Sequence, residues 1–247
     1  MTADPQVSVL LPAMAAGILV LLTHVPLGRV VLLRGIIFID LALAQVAGLG
    51  VVIADFLGWE PGGLSTQVSA LTASLLAAAF LHWSERRMAR NQEAIIGLLF
   101  VCAASAEIIL LSFNPHGAEH MKDLLVGQII WVSSEQLIWA ALATVPILVL
   151  IRRGGLERCS FLFYGLFACA ITISVQMVGV FLVFASLIIP ALASRSQLGG
   201  YGLGLLGYGA GMAASLVVDL PTGAAIVCAL TVTAAGKAVF QRVGSAS

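Results

Sequence analysis

The sequence predicts an all-α fold, a polytopic bundle of eight or nine transmembrane helices that forms a single domain over residues 1–247. Only 10% of the residues are charged and 60% are hydrophobic, whereas a soluble domain carries about 25% charged residues. The hydrophobic residues also occur in runs close to the roughly 20 residues that an α-helix needs to cross a bilayer. Because so few polar side chains cannot cover a water-soluble particle, we expect the bilayer to be the solvent.

Nine apolar runs follow one another along the chain. They cover approximately residues 7–23, 36–57, 66–83, 94–113, 134–151, 160–177, 179–193, 201–218 and 222–240. The runs at 160–177 and 179–193 are short, so they predict either two crossings or one crossing and a half-helix. Pro190 lies near the end of the second of these. Because proline has no backbone N–H to donate, we expect a helix to bend or end there.

The basic residues predict how the chain threads the membrane. Eleven of the twelve lie on one side of a nine-span arrangement, and only Lys122 lies on the other. The eleven are Arg29, Arg34, Arg86, Arg87, Arg90, Arg152, Arg153, Arg158, Arg195, Lys237 and Arg242. By the positive-inside rule, that side faces the cytoplasm, and the C-terminus with it. His24 and His82 fall near the predicted cytoplasmic ends of their spans, where a histidine complements a helix C-terminus.

Composition and motifs argue against several function classes. A formal net charge of zero is atypical of a nucleic-acid-binding protein. The four cysteines show no Cys-x-x-Cys spacing, so they predict neither a disulfide framework nor a zinc site. Gly202–Gly207 matches G-x-G-x-x-G but lacks the βαβ context of a nucleotide site, so it is interpreted as a face for close helix packing. No Walker A sequence is present, so ATP hydrolysis would belong to a separate chain.

Four segments, in the same order, resemble the membrane subunits of bacterial zinc, manganese and iron ABC importers. They are Leu43–Gly50, Glu93–Phe100, Asp123–Ser133 and Val178–Arg195, and the resemblance spans roughly Leu32 to the C-terminus. The resemblance implies that this chain is a permease of the bacterial inner (plasma) membrane, a transporter subunit and not an enzyme. Such a permease pairs with a second copy of itself and is surrounded by membrane lipid; its expected partners are cytoplasmic ATPase subunits and a periplasmic or surface metal-binding protein. The expected substrate is a divalent metal, and no permanently bound cofactor is expected.

In that family, the segment similar to Val178–Arg195 leads into the region that contacts the ATPase. The resemblance therefore implies that a small, singly charged segment couples this chain to an ATPase. The residues expected to do so are Pro190, Ala191, Ser194, Arg195 and Ser196.

Three polar residues inside spans are candidates for the transport pathway: Asp40, Gln45 and Glu107. A charged group within a bilayer is costly and by default marks a pathway. Two interpretations stand for each acid. Asp40 is either a pathway ligand or the partner of Arg34 or Arg29 near the cytoplasmic interface. Glu107 either faces a hydrated cavity or is protonated and hydrogen-bonded between helices.

The second span departs from the pattern of the family it resembles. There, an acid stands four residues before a histidine, a spacing that places both on one helical face. When the similar segments are aligned, Gln45 falls on the histidine and Leu41 on the acid, while Asp40 comes one residue early. Two alternatives therefore remain beside free-metal import. One is an ABC permease for a metal chelate or another small solute, and the other is an ion-coupled secondary transporter with Asp40 and Glu107 as proton carriers.

A predicted outer loop carries the richest group of metal-ligand residues: His116, Glu119, His120 and Asp123. It is interpreted either as a metal-capture site at the outer mouth or as a polar loop with incidental histidines. The H-x-x-E-H pattern also occurs in zinc peptidases. That chemistry needs a stable helix, which Pro115 makes unfavourable here.

Overall fold

The structure, a computed structural model, describes residues 5–60, 62–114, 125, 129–153 and 159–244. Their secondary structure is helical, and no strand occurs among them, which confirms the predicted all-α fold. We number the helices in chain order. They are α1 (Pro5–Arg34), α2 (Ile39–Phe56), α3 (Leu64–Met88), α4 (Gln92–Leu111), α5 (Ser134–Arg152), α6 (Ser160–Val178), α7 (Val180–Ala193), α8 (Gln197–Val218) and α9 (Thr222–Gly244).

The number of membrane crossings agrees with the predicted eight or nine. Seven stretches of the described residues are long and apolar enough to span a bilayer, and the longest, Leu64–Leu111, contains both α3 and α4. A 3-10 turn at Ala89–Asn91 divides it. Asn114, just after α4, donates a hydrogen bond of 3.3 Å to Asp55 near the end of α2, where α3 also begins. Helix α4 therefore returns beside α3, and the two are separate crossings.

One end of the bundle gathers the basic residues, and we call it the basic end. There, Arg34 at the end of α1 forms an ion pair of 3.3 Å with Glu85 of α3. Arg34 also donates a hydrogen bond of 3.1 Å to Ser160, the first residue of α6. Arg29 donates to the backbone oxygen of Arg195, which follows α7. The ends of α1, α3 and α7 and the start of α6 therefore lie on one side of the bundle, as the distribution of basic residues predicts.

Gly179 turns the chain between α6 and α7. Its φ of +82° and ψ of 163° lie in a region that is essentially restricted to glycine. Helix α6 starts at the basic end and α7 returns to it, so the two helices form a V with Gly179 at its apex. Helix α7 has 14 residues, about 21 Å at 1.5 Å per residue. It runs antiparallel to α6 and is shorter than the roughly 20 residues of a full crossing.

Pro26 and Pro190 lie inside helices instead of ending them, as Pro12 and Pro146 also do. Helix α1 continues through Pro26 to Arg34, eleven residues beyond the end of the predicted run. Tyr201 of α8 donates a 3.3 Å hydrogen bond to the carbonyl of Leu22, the group that an N–H at position 26 would have served. Helix α7 likewise continues through Pro190 to Ala193. Proline is tolerated in this way in membrane helices because neighbouring groups satisfy the freed carbonyls.

The helices pack as two groups. In one group, α2 packs against α3, α4 and α6. In the other, α1 packs against α5, α7 and α8, and α9 packs against α7 and α8. Glycines allow the closest approaches, because a Cβ at Gly50 would lie 2.8 Å from the Cα of Ala70. The three predicted pathway residues all lie in the first group.

Candidate functional site

The structure brings Gln45 and Glu107 together. Gln45 of α2 is 5% exposed and Glu107 of α4 is 1% exposed. The Nε2 of Gln45 donates a hydrogen bond to Oε2 of Glu107. The other carboxylate oxygen, Oε1, has no hydrogen-bond partner within the described residues. A carboxylate therefore lies between two helices in the bundle interior, held by one amide and with one oxygen available to a cation.

Asp40 lies apart from that pair. It occupies the first turn of α2 and is 1% exposed. Its carboxylate is close to the backbone N–H groups of the same turn, but in the described part of the chain neither oxygen has a hydrogen-bond partner of good geometry. Arg34 and Arg29 contact Glu85 and the backbone of Arg195 instead. Because Asp40 and Gln45 are five residues apart, they differ by about 140° around the helix.

Ser74 of α3 lies near the depth of Gln45, although sequence reasoning did not select it. It is fully buried, and its hydroxyl has no partner among the described residues. Helices α2 and α3 are antiparallel, with Gly50 against Ala70. One turn further along α3, Ser74 is therefore level with Val46, next to Gln45.

Thr172 of α6 lies at the same depth. It is 2% exposed, and the structure gives its hydroxyl no hydrogen-bond partner in the ranges it describes. The hydrogen bond between Ser160 and Glu85 fixes the antiparallel register of α6 and α3. Ser74 comes eleven residues before Glu85 on α3, and Thr172 comes twelve residues after Ser160 on α6. Because the two helices are antiparallel, Ser74 and Thr172 lie at nearly the same depth. Ser74 and Thr172 are therefore near the depth of Gln45, whose side chain holds the carboxylate of Glu107, and we call these four buried residues of α2, α3, α4 and α6 the polar layer.

The predicted coupling residues divide into a buried and an exposed set. Pro190, Ala191 and Ser194 are buried, whereas Arg195 and Ser196 are exposed. The chain leaves α7 at Ser194, which is extended, with φ −137° and ψ 130°. Ser196 then caps α8 by accepting a 3.1 Å hydrogen bond from the backbone N–H of Gly199. The turn between α7 and α8 is thus short, well defined and accessible at the basic end.

A groove of about 560 Å³ opens beside this turn. Its lining combines two basic side chains, Arg29 and Arg195, with exposed leucines. Leu33 is 80% exposed and Leu192 is 73% exposed. Apolar side chains flanked by arginines at the membrane surface are typical of a surface that a protein partner covers.

His24 is not at a helix end, so that prediction was wrong. It is fully buried within α1, which continues ten residues beyond it. Its Nδ1 contacts the hydroxyl of Thr23 at 2.9 Å and the carbonyl of Val20 at 3.0 Å. His82 does lie in the last two turns of α3, where its ring packs 5.8 Å from that of Tyr164.

The predicted capture site falls outside the described residues. His116, Glu119, His120 and Asp123 all belong to the part of the loop that the structure does not describe. Among the residues that it does describe, no group of three His, Cys, Asp or Glu side chains is arranged to hold a metal ion. The capture site therefore stays a prediction.

Comparison with known proteins gives a match over nearly the whole chain. Residues 6–153 and 155–241 match the ABC 3 transport family. The chain is 22% identical, over 76% of its own length and 77% of the relative, to the high-affinity zinc uptake system membrane protein ZnuB of Haemophilus influenzae. It is 21% identical to the uncharacterized membrane protein slr2045 of Synechocystis, over 93% and 90% of the two chains.

The chain shares its fold with solved structures. PsaBC from Streptococcus pneumoniae, solved in complex with Fab, superposes with a TM-score of 0.75 at 20% identity, over 93% of this chain and 90% of that one. An inward-facing metal-chelate type ABC transporter gives a TM-score of 0.59 at 16% identity, over 96% and 79% of the two chains. At these identities the likeness concerns the architecture alone.

Proposed function

We propose that this chain, which belongs to the ABC 3 transport family, is the permease of an importer that moves divalent transition metal ions into the cytoplasm. The cargo would be zinc, manganese or iron, and the energy would come from ATP hydrolysed by a separate subunit. The observation that carries the proposal is the hydrogen-bonded Gln45–Glu107 pair inside a bundle of apolar helices. A buried carboxylate at that depth is costly without a cation and is therefore expected where a cation passes.

The pathway runs along α2 in this proposal. Glu107 and Gln45 offer the ion oxygen ligands at the polar layer. Asp40 is five residues before Gln45, which at 1.5 Å per residue places it about 7.5 Å nearer to the basic end. Its two unpartnered oxygens would bind the ion next on its way to the cytoplasm. Movement between the two requires that the ion exchange one set of oxygens for another, as alternating access provides.

Partner subunits occupy the two membrane surfaces in this proposal. The ATPase docks on the groove beside Ser194–Ser196, where exposed leucines and arginines offer both apolar area and charge. Two permease copies pair in the bacterial inner membrane, with the C-terminus in the cytoplasm. A periplasmic or surface binding protein delivers the metal on the opposite side, close to the predicted capture residues His116 and His120.

Uptake in proteoliposomes tests the transport role. The complex, co-purified with its ATPase, is reconstituted and ATP-dependent uptake of Zn²⁺, Mn²⁺ and Fe²⁺ is measured. We expect Glu107→Gln and Asp40→Asn to reduce uptake without reducing the amount of complex recovered. Glu135→Gln is the matched control, because Glu135 is an exposed carboxylate in the first turn of α5. Wild-type uptake by both pathway variants would refute the pathway.

A charge reversal tests the docking surface. We expect Arg195→Glu to weaken ATPase recovery while membrane insertion is unchanged. Arg153→Glu is the control, since Arg153 is exposed at the basic end but does not line the groove. Equal ATPase recovery with the two variants would count against docking at this turn.

A chelated metal is the second candidate cargo. The specific observation in its favour is that the described residues contain no cluster of three metal-binding side chains. The same proteoliposomes distinguish the two, because a chelate permease would leave the free ions outside while it takes up the complexed metal. An ion-coupled secondary transporter would instead work without the ATPase and stop when a protonophore collapses the proton gradient.

A further inference from the structure

We infer that α3, where it reaches the basic end, binds the headgroup of an anionic phospholipid. The residues that form the site are Trp83, Arg86, Arg87 and Arg90. The ligand is a membrane lipid with a net negative phosphate diester, as in phosphatidylglycerol. The inference goes beyond the proposed transport function, because it concerns a surface on the outside of the bundle and holds for any cargo.

One face of α3 is exposed and apolar along most of the helix. Val68 is 54% exposed, Leu76 is 67% exposed and Phe80 is 43% exposed, whereas Ala70 and Leu81 are fully buried. The exposed side chains are separated by multiples of four residues, which keeps them on one side of a helix. Because α3 belongs to a stretch that is long and apolar enough to span a bilayer, this side lies against the acyl chains of the lipid.

The same face ends in an aromatic pair and an arginine. Trp83 is 47% exposed, and its ring stacks on that of Phe80 with 6.0 Å between the centroids. One turn later, the guanidinium carbon of Arg87 lies 5.6 Å from the centroid of the Trp83 ring, which is cation–π contact. Tryptophan is enriched where a membrane meets water. Trp83 therefore holds the guanidinium of Arg87 at the level of the lipid headgroups.

Three arginines gather at this point without an acidic partner. Arg86, Arg87 and Arg90 are all exposed, and Arg90 lies in the 3-10 turn that follows α3. In the part of the chain that the structure describes, none of the three forms an ion pair, because the adjacent Glu85 pairs with Arg34 instead. The planar fork of a guanidinium matches the oxygens of a phosphate. The cluster thus has unused capacity for an anion.

The position of the cluster favours a lipid over the ATPase. The groove proposed for the ATPase is lined by residues of α1, α5, α7, α8 and the turn between the last two, whereas α3 packs against α2, α4 and α6. The arginines also continue the apolar face that carries Leu76 and Phe80. A ligand that covers both parts needs a negative headgroup and an acyl chain. A phospholipid has both, and a soluble anion has only the first.

Charge complementarity favours an anionic lipid over a neutral one. The positive-inside rule assigns the basic end to the cytoplasm, and basic residues next to a membrane span attract the anionic lipids of that leaflet. Each arginine near such a surface strengthens binding about fivefold. The cluster is therefore expected to select phosphatidylglycerol over phosphatidylcholine.

Quenching of Trp83 fluorescence by brominated lipid tests the inference. Trp83 lies at the basic end, whereas Trp59, Trp131 and Trp139 lie nearer to the opposite end. The full chain is placed in phosphatidylcholine nanodiscs that contain increasing fractions of brominated phosphatidylglycerol or brominated phosphatidylcholine. The difference between the wild type and Trp83→Phe isolates the signal of Trp83. We expect brominated phosphatidylglycerol to quench this signal at a lower mole fraction than brominated phosphatidylcholine does.

Two double variants with equal loss of charge separate the site from general surface charge. Arg86→Gln with Arg87→Gln should raise the fraction of phosphatidylglycerol that gives half-maximal quenching about 25-fold, from about fivefold for each arginine. Arg152→Gln with Arg153→Gln removes two exposed arginines at the end of α5 and should leave that fraction unchanged. If the first double variant does not insert, Arg87→Gln alone should give about a fivefold effect against the same control.

Four results would overturn the inference. Equal quenching by the two lipids would show contact without charge recognition, and quenching by neither would show that another chain covers this face. Equal behaviour of the two double variants would remove the arginines from the site. Displacement of brominated phosphatidylglycerol by inorganic phosphate would assign the cluster to a soluble anion. Loss of co-purified ATPase in Arg86→Gln with Arg87→Gln, with lipid quenching unchanged, would likewise assign it to a protein partner.

Discussion

The contact between α8 and α9 makes a sharp prediction, because it depends on the absence of one Cβ. A Cβ at Gly211 would lie 2.7 Å from the backbone nitrogen of Ile226 and closer still to its Cα, whereas an ordinary contact begins at 3.4 Å. In Gly211→Ala the two helices must therefore part by more than about 0.7 Å. The atoms that are struck belong to the backbone and cannot rotate away. Overpacking of this kind costs about 1–3 kcal/mol.

Gly209 on the same helix is the matched control. No atom lies within 4 Å of a Cβ at that position. In a helix interior, alanine is better than glycine by up to about 1 kcal/mol, so Gly209→Ala should be neutral or stabilising. For a chain of this size, 1 kcal/mol shifts Tm by about 2–4 °C, and Gly211→Ala should lower Tm by about 2–12 °C.

Thermal unfolding of the detergent-solubilised chain, followed as the loss of its monodisperse peak, measures both variants. A lower midpoint for Gly211→Ala together with an unchanged or higher midpoint for Gly209→Ala agrees with the close packing of α8 on α9. Equal midpoints would refute the reasoning, since they would mean that the two helices do not approach each other at Gly211.

Three further variants can be measured by the same assay. Tyr208→Phe removes the 2.8 Å hydrogen bond to Ser186 and should lower the free energy of unfolding by about 0.6–1.7 kcal/mol, as for other hydrogen bonds between membrane helices. A larger loss of stability than that of Gly211→Ala would contradict this prediction. Gly179→Ala forces a side chain into the conformation at the apex of the V and should cost about 1–3 kcal/mol, so an unchanged Tm would argue against the turn. Ser133→Ala removes the capping box at the start of α5 and should cost about 1 kcal/mol, whereas Ser133→Asp, which can still cap, should not.

The fold could be predicted because the bilayer imposes simple requirements. A crossing needs a fixed length of apolar helix, and basic residues collect on one side. These two requirements gave the all-α class, the approximate number of spans and the grouping of Arg29, Arg34 and Arg195 at one end.

Helix ends at prolines could not be predicted, because distant contacts decide them. The residues around Pro26 look like the end of a span. Helix α1 nevertheless continues, since Tyr201, far along the chain, bonds the carbonyl of Leu22. No local pattern contains that information.

The candidate site was predictable only in part, for a related reason. Glu107 is conspicuous as a charge within an apolar run, and Gln45 is conspicuous through its place in a motif. Ser74 and Thr172 are small hydroxyl residues of a kind common in membrane helices. They become notable only when the antiparallel registers of α3 and α6 bring them to one depth and their hydroxyls are found unpartnered.

The V at Gly179 also has a mechanical consequence. Helix α7 carries the exposed turn at one end and, at the other, joins α6 through a single residue, so no flexible loop absorbs a displacement between them. As a strut of about 21 Å, α7 would move its far end by roughly 4 Å for a tilt of about 10°. A displacement of the exposed turn at the membrane surface is thus transmitted through α7 to α6, the helix that carries Thr172. This transmission needs no contact across the bundle core.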